Sequence, residues 1–233
     1  MFKNAIGILF IFFFIASCGG SVTTTPTPTS VSSNSTMRYL ALGDSYTIGE
    51  SVPEAERWSN QLADLLKQNG YQVETTIIAR TGWTTAELWQ GIQQTEISPP
   101  YDMVSLLIGV NNQYRGYSKE EYRQEFTFLL NKAIEYAGGN KNKVFVVSIP
   151  DWGVTPFAQG RDAEKIAQEI DAFNQINKEE AEKLGVAYVD VTPVSRQAVY
   201  DADLIAPDGL HPSGKMYAEW AKLALPVALE ILK

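Results

Sequence analysis

Arg38-Tyr39-Leu40-Ala41-Leu42-Gly43-Asp44-Ser45 is a short apolar run that stops at a glycine, an acid and a hydroxyl. It reads as a buried strand delivering Ser45 into a turn. The chain beyond it repeats the pattern. A helical stretch over residues 58–69 places Leu62, Leu65 and Leu66 on one face and stops at Gly70. Residues 73–78 read as a second strand, and 84–94 as a short amphipathic helix closed by Ser98-Pro99-Pro100. Residues 103–108 form a third strand ending at Gly109. Ser118-Lys119-Glu120-Glu121 has the form of a capping box opening a helix to Tyr136, which Gly138-Gly139 stop. A fourth strand spans 144–149 and ends at Pro150. The longest helical pattern covers 163–184, a fifth strand 186–191, and Ser213 caps a terminal helix that runs to Leu232.

Strands and helices thus alternate five times, and the third and fourth strands are apolar on both faces. A parallel sheet covered by helices on each side requires that pattern. The expected fold class is α/β: a three-layer α/β/α sandwich around a five-stranded parallel sheet, formed by residues 37–233 as one domain. Ligands of such sheets sit at the carboxyl ends of the strands, so functional residues should lie just after strands.

Four groups do. Ser45 follows the first strand, Gly82 the second, Gly109 and Asn111 the third, and Asp208 and His211 precede the last helix. A serine hydroxyl is a weak nucleophile and needs a base. The chain has one histidine, His211, so there is no competing choice. An imidazole base needs a third group to orient it, and Asp208 lies three residues away on a glycine-containing loop. An oxyanion needs donors set in advance; the candidates are the N–H groups of Ser45 and Gly82 and the side-chain amide of Asn111. Each tripeptide alone is an ordinary turn. Their coincidence at one sheet edge points to catalysis.

Gly43-Asp44-Ser45, Gly82, Gly109-Val110-Asn111 and Asp208-Gly209-Leu210-His211-Pro212 together resemble the block pattern of the SGNH-hydrolase (GDSL esterase/lipase) superfamily. The blocks occur in the family order from the first strand to the last helix. The resemblance implies a flavodoxin-like sandwich and a serine esterase without a metal or other cofactor. It makes Ser45, Asp208 and His211 the catalytic triad, and Ser45, Gly82 and Asn111 the oxyanion hole. One position departs: the family's Gly-x-Asn-Asp is Gly109-Val110-Asn111-Asn112 here, and the missing acid is expected to support the loop. The implied substrates are small-acyl esters or lysophospholipids; carbohydrate or cell-wall O-acetyl esters are the alternative. A non-catalytic glycan- or lipid-binding protein is the rival from another class. Tyr46, Trp83 and Trp152 are candidate pocket residues, while Trp58 and Trp89 read as core or rim. Lys119, Glu120, Glu121, Arg123 and Glu125 read as a solvated helix face. Asp201, Asp203 and Asp208 lack the spacing of a calcium loop, so no metal is expected.

The first 36 residues lie outside this pattern. Lys3 precedes an apolar run, residues 5–15, that is too short to span a bilayer. Ile15-Ala16-Ser17-Cys18-Gly19 then resembles the lipobox of bacterial lipoproteins. Residues 1–17 are therefore expected to be a signal peptide and Cys18, the only cysteine, to carry lipid. Residues 18–36 would form a disordered tether, since Ser, Thr, Pro and Gly cannot bury enough apolar area to offset ordering entropy. Fully extended, such a tether reaches roughly 60 Å. These features place the domain in the bacterial cell envelope, held to a membrane through lipid. The formal net charge of −8 and the lack of a Lys/Arg stripe argue against nucleic acid as a partner.

Overall fold

The computed structural model describes residues 36–233, together with Met1, Phe2 and Leu9. Cys18, the lipobox and the tether expected over 18–36 lie outside the described residues, save Thr36 at the tether's end. Among the described residues no helix is long and apolar enough to cross a membrane.

The elements run β1 (Met37–Gly43), α1 (Ser45–Ile48), α2 (Trp58–Gln68), β2 (Val73–Ala79), α3 (Thr85–Gln93), β3 (Met103–Leu107), α4 (Val110–Tyr114), α5 (Lys119–Tyr136), β4 (Val144–Val147), α6 (Ala163–Leu184), β5 (Ala187–Val189), α7 (Thr192–Ser195) and α8 (Gly214–Ile231). The five strands form one parallel sheet in the order β2-β1-β3-β4-β5. This is the doubly wound arrangement expected, and its strand order reverses between β1 and β3. Helices α2 and α8 pack together on one face; α3, α5 and α6 lie side by side on the other. β3 and β4 are buried along their whole length, which explains their unbroken apolar runs.

The last two strands are shorter than their apolar patterns predict because side chains capture the backbone first. Asn174 takes both the N–H and the carbonyl of Ile149 (2.7 and 2.9 Å). Ser148 Oγ accepts the N–H of Val191 at 2.8 Å. The capping box also falls elsewhere. Ser118 Oγ accepts from the Glu121 N–H, which is half of the motif. The complete reciprocal box is Thr84 with Glu87 at the start of α3. The helix face expected to be solvated is partly committed to neighbours: Arg123 pairs with Glu179 and Glu180 of α6 (2.7 and 2.6 Å), and Glu125 accepts from the Thr85 hydroxyl.

Strand register positions the site. Gly43 lies opposite both Ala79 and Leu107, so β1, β2 and β3 end level. Chain leaving three level strands must turn in the same place, and Ser45, Gly82 and Asn111 each lie within four residues of those ends.

Candidate active site

Ser45 begins α1. Asp44 caps that short helix, its Oδ1 accepting the Tyr46 N–H at 3.0 Å. The turn is tight enough to exclude any side chain at Gly43: a Cβ there would lie 2.2 Å from Thr47 Oγ1 and 2.5 Å from the Leu107 carbonyl. Ser45 is itself nearly buried, at 4% exposure. As a first helical residue its N–H has no intrahelical acceptor.

Gly82 sits in the turn between β2 and α3 with φ +84°, a conformation that favours glycine. Its N–H has no hydrogen-bond partner among the described residues. Its carbonyl accepts from Arg115 Nη2 at 2.6 Å, and Arg115 also pairs with Glu87. The segment that carries Asn111 grips this turn at two further points. Asn111 Nδ2 donates to the Trp83 carbonyl at 3.0 Å. Asn112 Oδ1 accepts the Thr85 N–H at 3.1 Å, and its Nδ2 donates to Thr85 Oγ1 at 2.7 Å. Three side chains of one short segment thereby hold the β2–α3 turn in register with the end of β3. Asn111 retains a second amide hydrogen.

Asp208 and His211 share a tight loop closed by Ala206 N–H on the His211 carbonyl at 2.8 Å. Asp208 Oδ1 accepts the N–H groups of Leu210 and His211 (2.9 and 3.0 Å). Its Oδ2 lies 2.6 Å from His211 Nδ1 and accepts from the Ser51 hydroxyl at 2.7 Å. Partial burial alone would raise the Asp208 pKa. The hydrogen bonds from the His211 ring, Leu210, Ser51 and the His211 backbone prevail and hold it well below the usual carboxylate range. With Nδ1 engaged, Nε2 is the nitrogen left for another partner. The imidazole packs against the Tyr46 ring, centroids 5.4 Å apart, and is 6% exposed.

These groups meet around one cavity of about 160 Å³. Ser45, Gly82, Asn111 and His211 line it together with Tyr46, Trp152 and other apolar groups. Of the three aromatic residues anticipated for the pocket, Tyr46 and Trp152 are there and Trp83 is not. The Trp83 ring turns back onto α3 and fills the space over Gly91, where a Cβ would lie 2.0 Å from its Cη2. Trp58 is fully buried, and Trp89 packs edge-on against Phe128. Asp201 pairs with Lys215 at 2.7 Å.

A family model described as the GDSL-like Lipase/Acylhydrolase family matches residues 41–219, most of the chain. The chain belongs to this family. It is accordingly a serine ester hydrolase of the GDSL type. Solved structures agree in fold. TesA superposes with a TM-score of 0.66 at 18% identity, over 84% of this chain and 100% of its own. A member of the lipolytic protein G-D-S-L family from Veillonella parvula gives 0.64 at 21% identity, over 82% and 97%. Axe2, an acetylxylan esterase from Geobacillus stearothermophilus, gives 0.61 at 19% identity, over 84% and 94%. No curated protein sequence matches the chain.

In this GDSL domain the fully buried Asn112 ties its segment to Thr85 through both atoms of its amide. The amide donates to Thr85 Oγ1, and that hydroxyl in turn donates a hydrogen bond to Glu125. Reading along the chain missed several groups of the site. Ser51, which reaches Asp208 across 157 positions, has φ +67° and no motif around it. Arg115 and Gln113, the latter accepting from Trp152 Nε1 at 2.8 Å, are polar residues whose partners only tertiary folding supplies.

Asp44 is fully buried, and its Oδ2 has no hydrogen-bond partner among the described residues. Burial pushes its pKa up to about 7, only partly offset by the Tyr46 N–H. The folded state therefore keeps a proton that the unfolded chain releases above about pH 4. Stability should fall as pH rises from about 4 to about 7 and stay reduced above that. Asp44→Asn cannot ionise. Its melting temperature relative to wild type is expected to be higher at pH 8 than at pH 5. An offset that is the same at both pH values would sink this reading.

Proposed function

We propose that the chain hydrolyses carboxylic esters through Ser45, His211 and Asp208, with the oxyanion held by the N–H groups of Ser45 and Gly82 and by Asn111 Nδ2. The observation that carries the reading is the convergence of Ser45, Gly82, Asn111 and His211 on one cavity, with His211 Nδ1 held 2.6 Å from Asp208. In the first step Ser45 Oγ bonds to the ester carbonyl carbon as His211 Nε2 takes its proton. The carbonyl electron pair moves onto oxygen, where the three donors stabilise it. Collapse breaks the bond to the alcohol, which leaves with the proton from Nε2. Water, giving a proton to the same nitrogen, then attacks the acyl carbon; the acyl–Oγ bond breaks as Nε2 returns that proton to Ser45 Oγ, and the acid leaves. Asp208 keeps the Nδ1 proton in place and stabilises the imidazolium.

The small apolar cavity supports small-acyl esters or lysophospholipids as substrates. The aromatic residues around it, and the acetylxylan esterase among the structural neighbours, support carbohydrate or cell-wall O-acetyl esters as the second reading. The Cys18 motif supports a lipid-anchored enzyme of the bacterial cell envelope. A fluorophosphonate probe tests the chemistry. It should label the folded protein at Ser45 and fail to label it after His211→Ala. An unlabelled wild type would favour the non-catalytic binding protein instead.

A further inference from the structure

Tyr114, Trp152 and Phe157 form a three-sided aromatic cluster at the cavity, with ring centroids 5.4 to 6.2 Å apart. Trp152 is buried, but Tyr114 and Phe157 are 46% and 42% exposed. Large rings left half in water beside an apolar cavity form a contact surface. The cluster is held firmly. The Phe157 N–H donates to the Gly209 carbonyl at 2.9 Å, which ties it to the Asp208–His211 loop. The Trp152 indole donates to Gln113.

Arg161 lies across all three rings, its Cζ 5.2, 5.3 and 5.2 Å from the centroids of Tyr114, Trp152 and Phe157. One of its N–H groups donates to the Tyr114 hydroxyl at 3.2 Å. A guanidinium has five such donors. Among the described residues Arg161, like Arg38 and Arg80, has no carboxylate partner, whereas Arg57, Arg115, Arg123 and Arg196 have one. Of the three without a partner, only Arg161 lies over rings that line the cavity. In a chain of net charge −8, acidic partners are plentiful. An unpaired cation held over the rings at the mouth of the ester site has donors left for an anion carried by the substrate.

We propose that Arg161 and the rings of Tyr114 and Phe157 form a subsite for an anionic group, phosphate or carboxylate, on the leaving alcohol of the substrate. The proposal rests on the hydrolase reading above. The small cavity takes the acyl group at Ser45. The alcohol then emerges over the rings, which cover its apolar part, and its oxyanion meets the free guanidinium donors.

Three aryl acetates with one acyl group test this: 4-acetoxybenzoate, 4-acetoxyphenyl phosphate and the neutral methyl 4-acetoxybenzoate. Comparing each anionic ester with the neutral one, in wild type and in variants, cancels intrinsic leaving-group reactivity. Arg161→Gln should lower the anionic-to-neutral ratio of kcat/KM roughly two- to fivefold through KM, the scale of an exposed ion pair. Arg161→Lys, which keeps the charge but loses the planar fork, should lower it less. Added salt should lower the wild-type ratio and leave the Gln variant's nearly flat. The anion with the larger drop identifies the phosphate or the carboxylate class. Ratios equal in wild type and Arg161→Gln overturn the subsite while the hydrolase reading stands. No turnover of any of the three by wild type overturns the hydrolase reading and the subsite with it.

Discussion

Ser45→Ala should abolish turnover of p-nitrophenyl acetate, a fall of roughly 10⁴- to 10⁶-fold on the scale of lost triad nucleophiles, with the melting temperature unchanged. The two halves of this expectation come from different observations. Ser45 Oγ takes part in no hydrogen bond among the described residues, so its removal leaves no orphaned partner in the fold. The conformation of the turn rests on Gly43 and on Asp44, whose carboxylate caps the helix through Tyr46. The chemistry depends on Oγ altogether. Without it the donors of Ser45, Gly82 and Asn111 can still polarise a carbonyl, but no covalent intermediate forms. Wild-type-like hydrolysis by this variant would exclude Ser45 as the nucleophile. A lowered melting temperature with residual activity would instead mark Ser45 as structural.

The second large effect is expected from Asp208→Asn, a fall in kcat of roughly 10⁴-fold with the loop conformation retained. Asparagine keeps a carbonyl oxygen that can accept the Leu210 and His211 N–H groups, as Asp208 Oδ1 does. What it cannot do is accept from His211 Nδ1 with the amide nitrogen in the place of Oδ2. The imidazole then minimises donor–donor conflict by moving its proton to Nε2, and a protonated Nε2 cannot serve as the base for Ser45. The carboxylate's depressed pKa adds a pH signature. A group with a lowered folded pKa contributes stability that is present above its unfolded value, near 4, and lost as pH falls below it. Wild type should therefore lose part of its stability below about pH 4, and the asparagine variant should lose less there. Steady-state kinetics and thermal melts over that range check both. Unchanged kcat in Asp208→Asn would remove it from the triad, leaving its contacts with Ser51, Leu210 and His211 as purely structural.

The strands, the long helices and the order of the site's blocks could be read along the chain because each is a local property. A buried strand needs a continuous apolar run, and β3 and β4 have one. An amphipathic helix needs several turns to show its period, and α2, α5 and α6 are long enough. Helices α1 and α4 are single turns, too short to carry a period, and they hold Ser45 and Asn111. β4 and β5 end before their apolar runs do, because Ser148 and Asn174 take backbone groups that the runs alone would assign to the sheet.

By itself the sequence determined the fold class and the list of groups available for chemistry: one histidine, an acid three residues before it, and serine, glycine and asparagine placed after strands. Tertiary structure decided which of these meet and what holds them. The level ends of β1, β2 and β3 bring Ser45, Gly82 and Asn111 together, and register between strands is set by packing rather than by neighbours in the chain. Ser51 reaches Asp208, and Arg115 reaches Gly82, across separations that no local pattern encodes. Trp83 and Trp152 look alike in sequence, each directly following a strand region. The space over Gly91 drew the Trp83 ring away from the cavity, while Gln113 held Trp152 beside it.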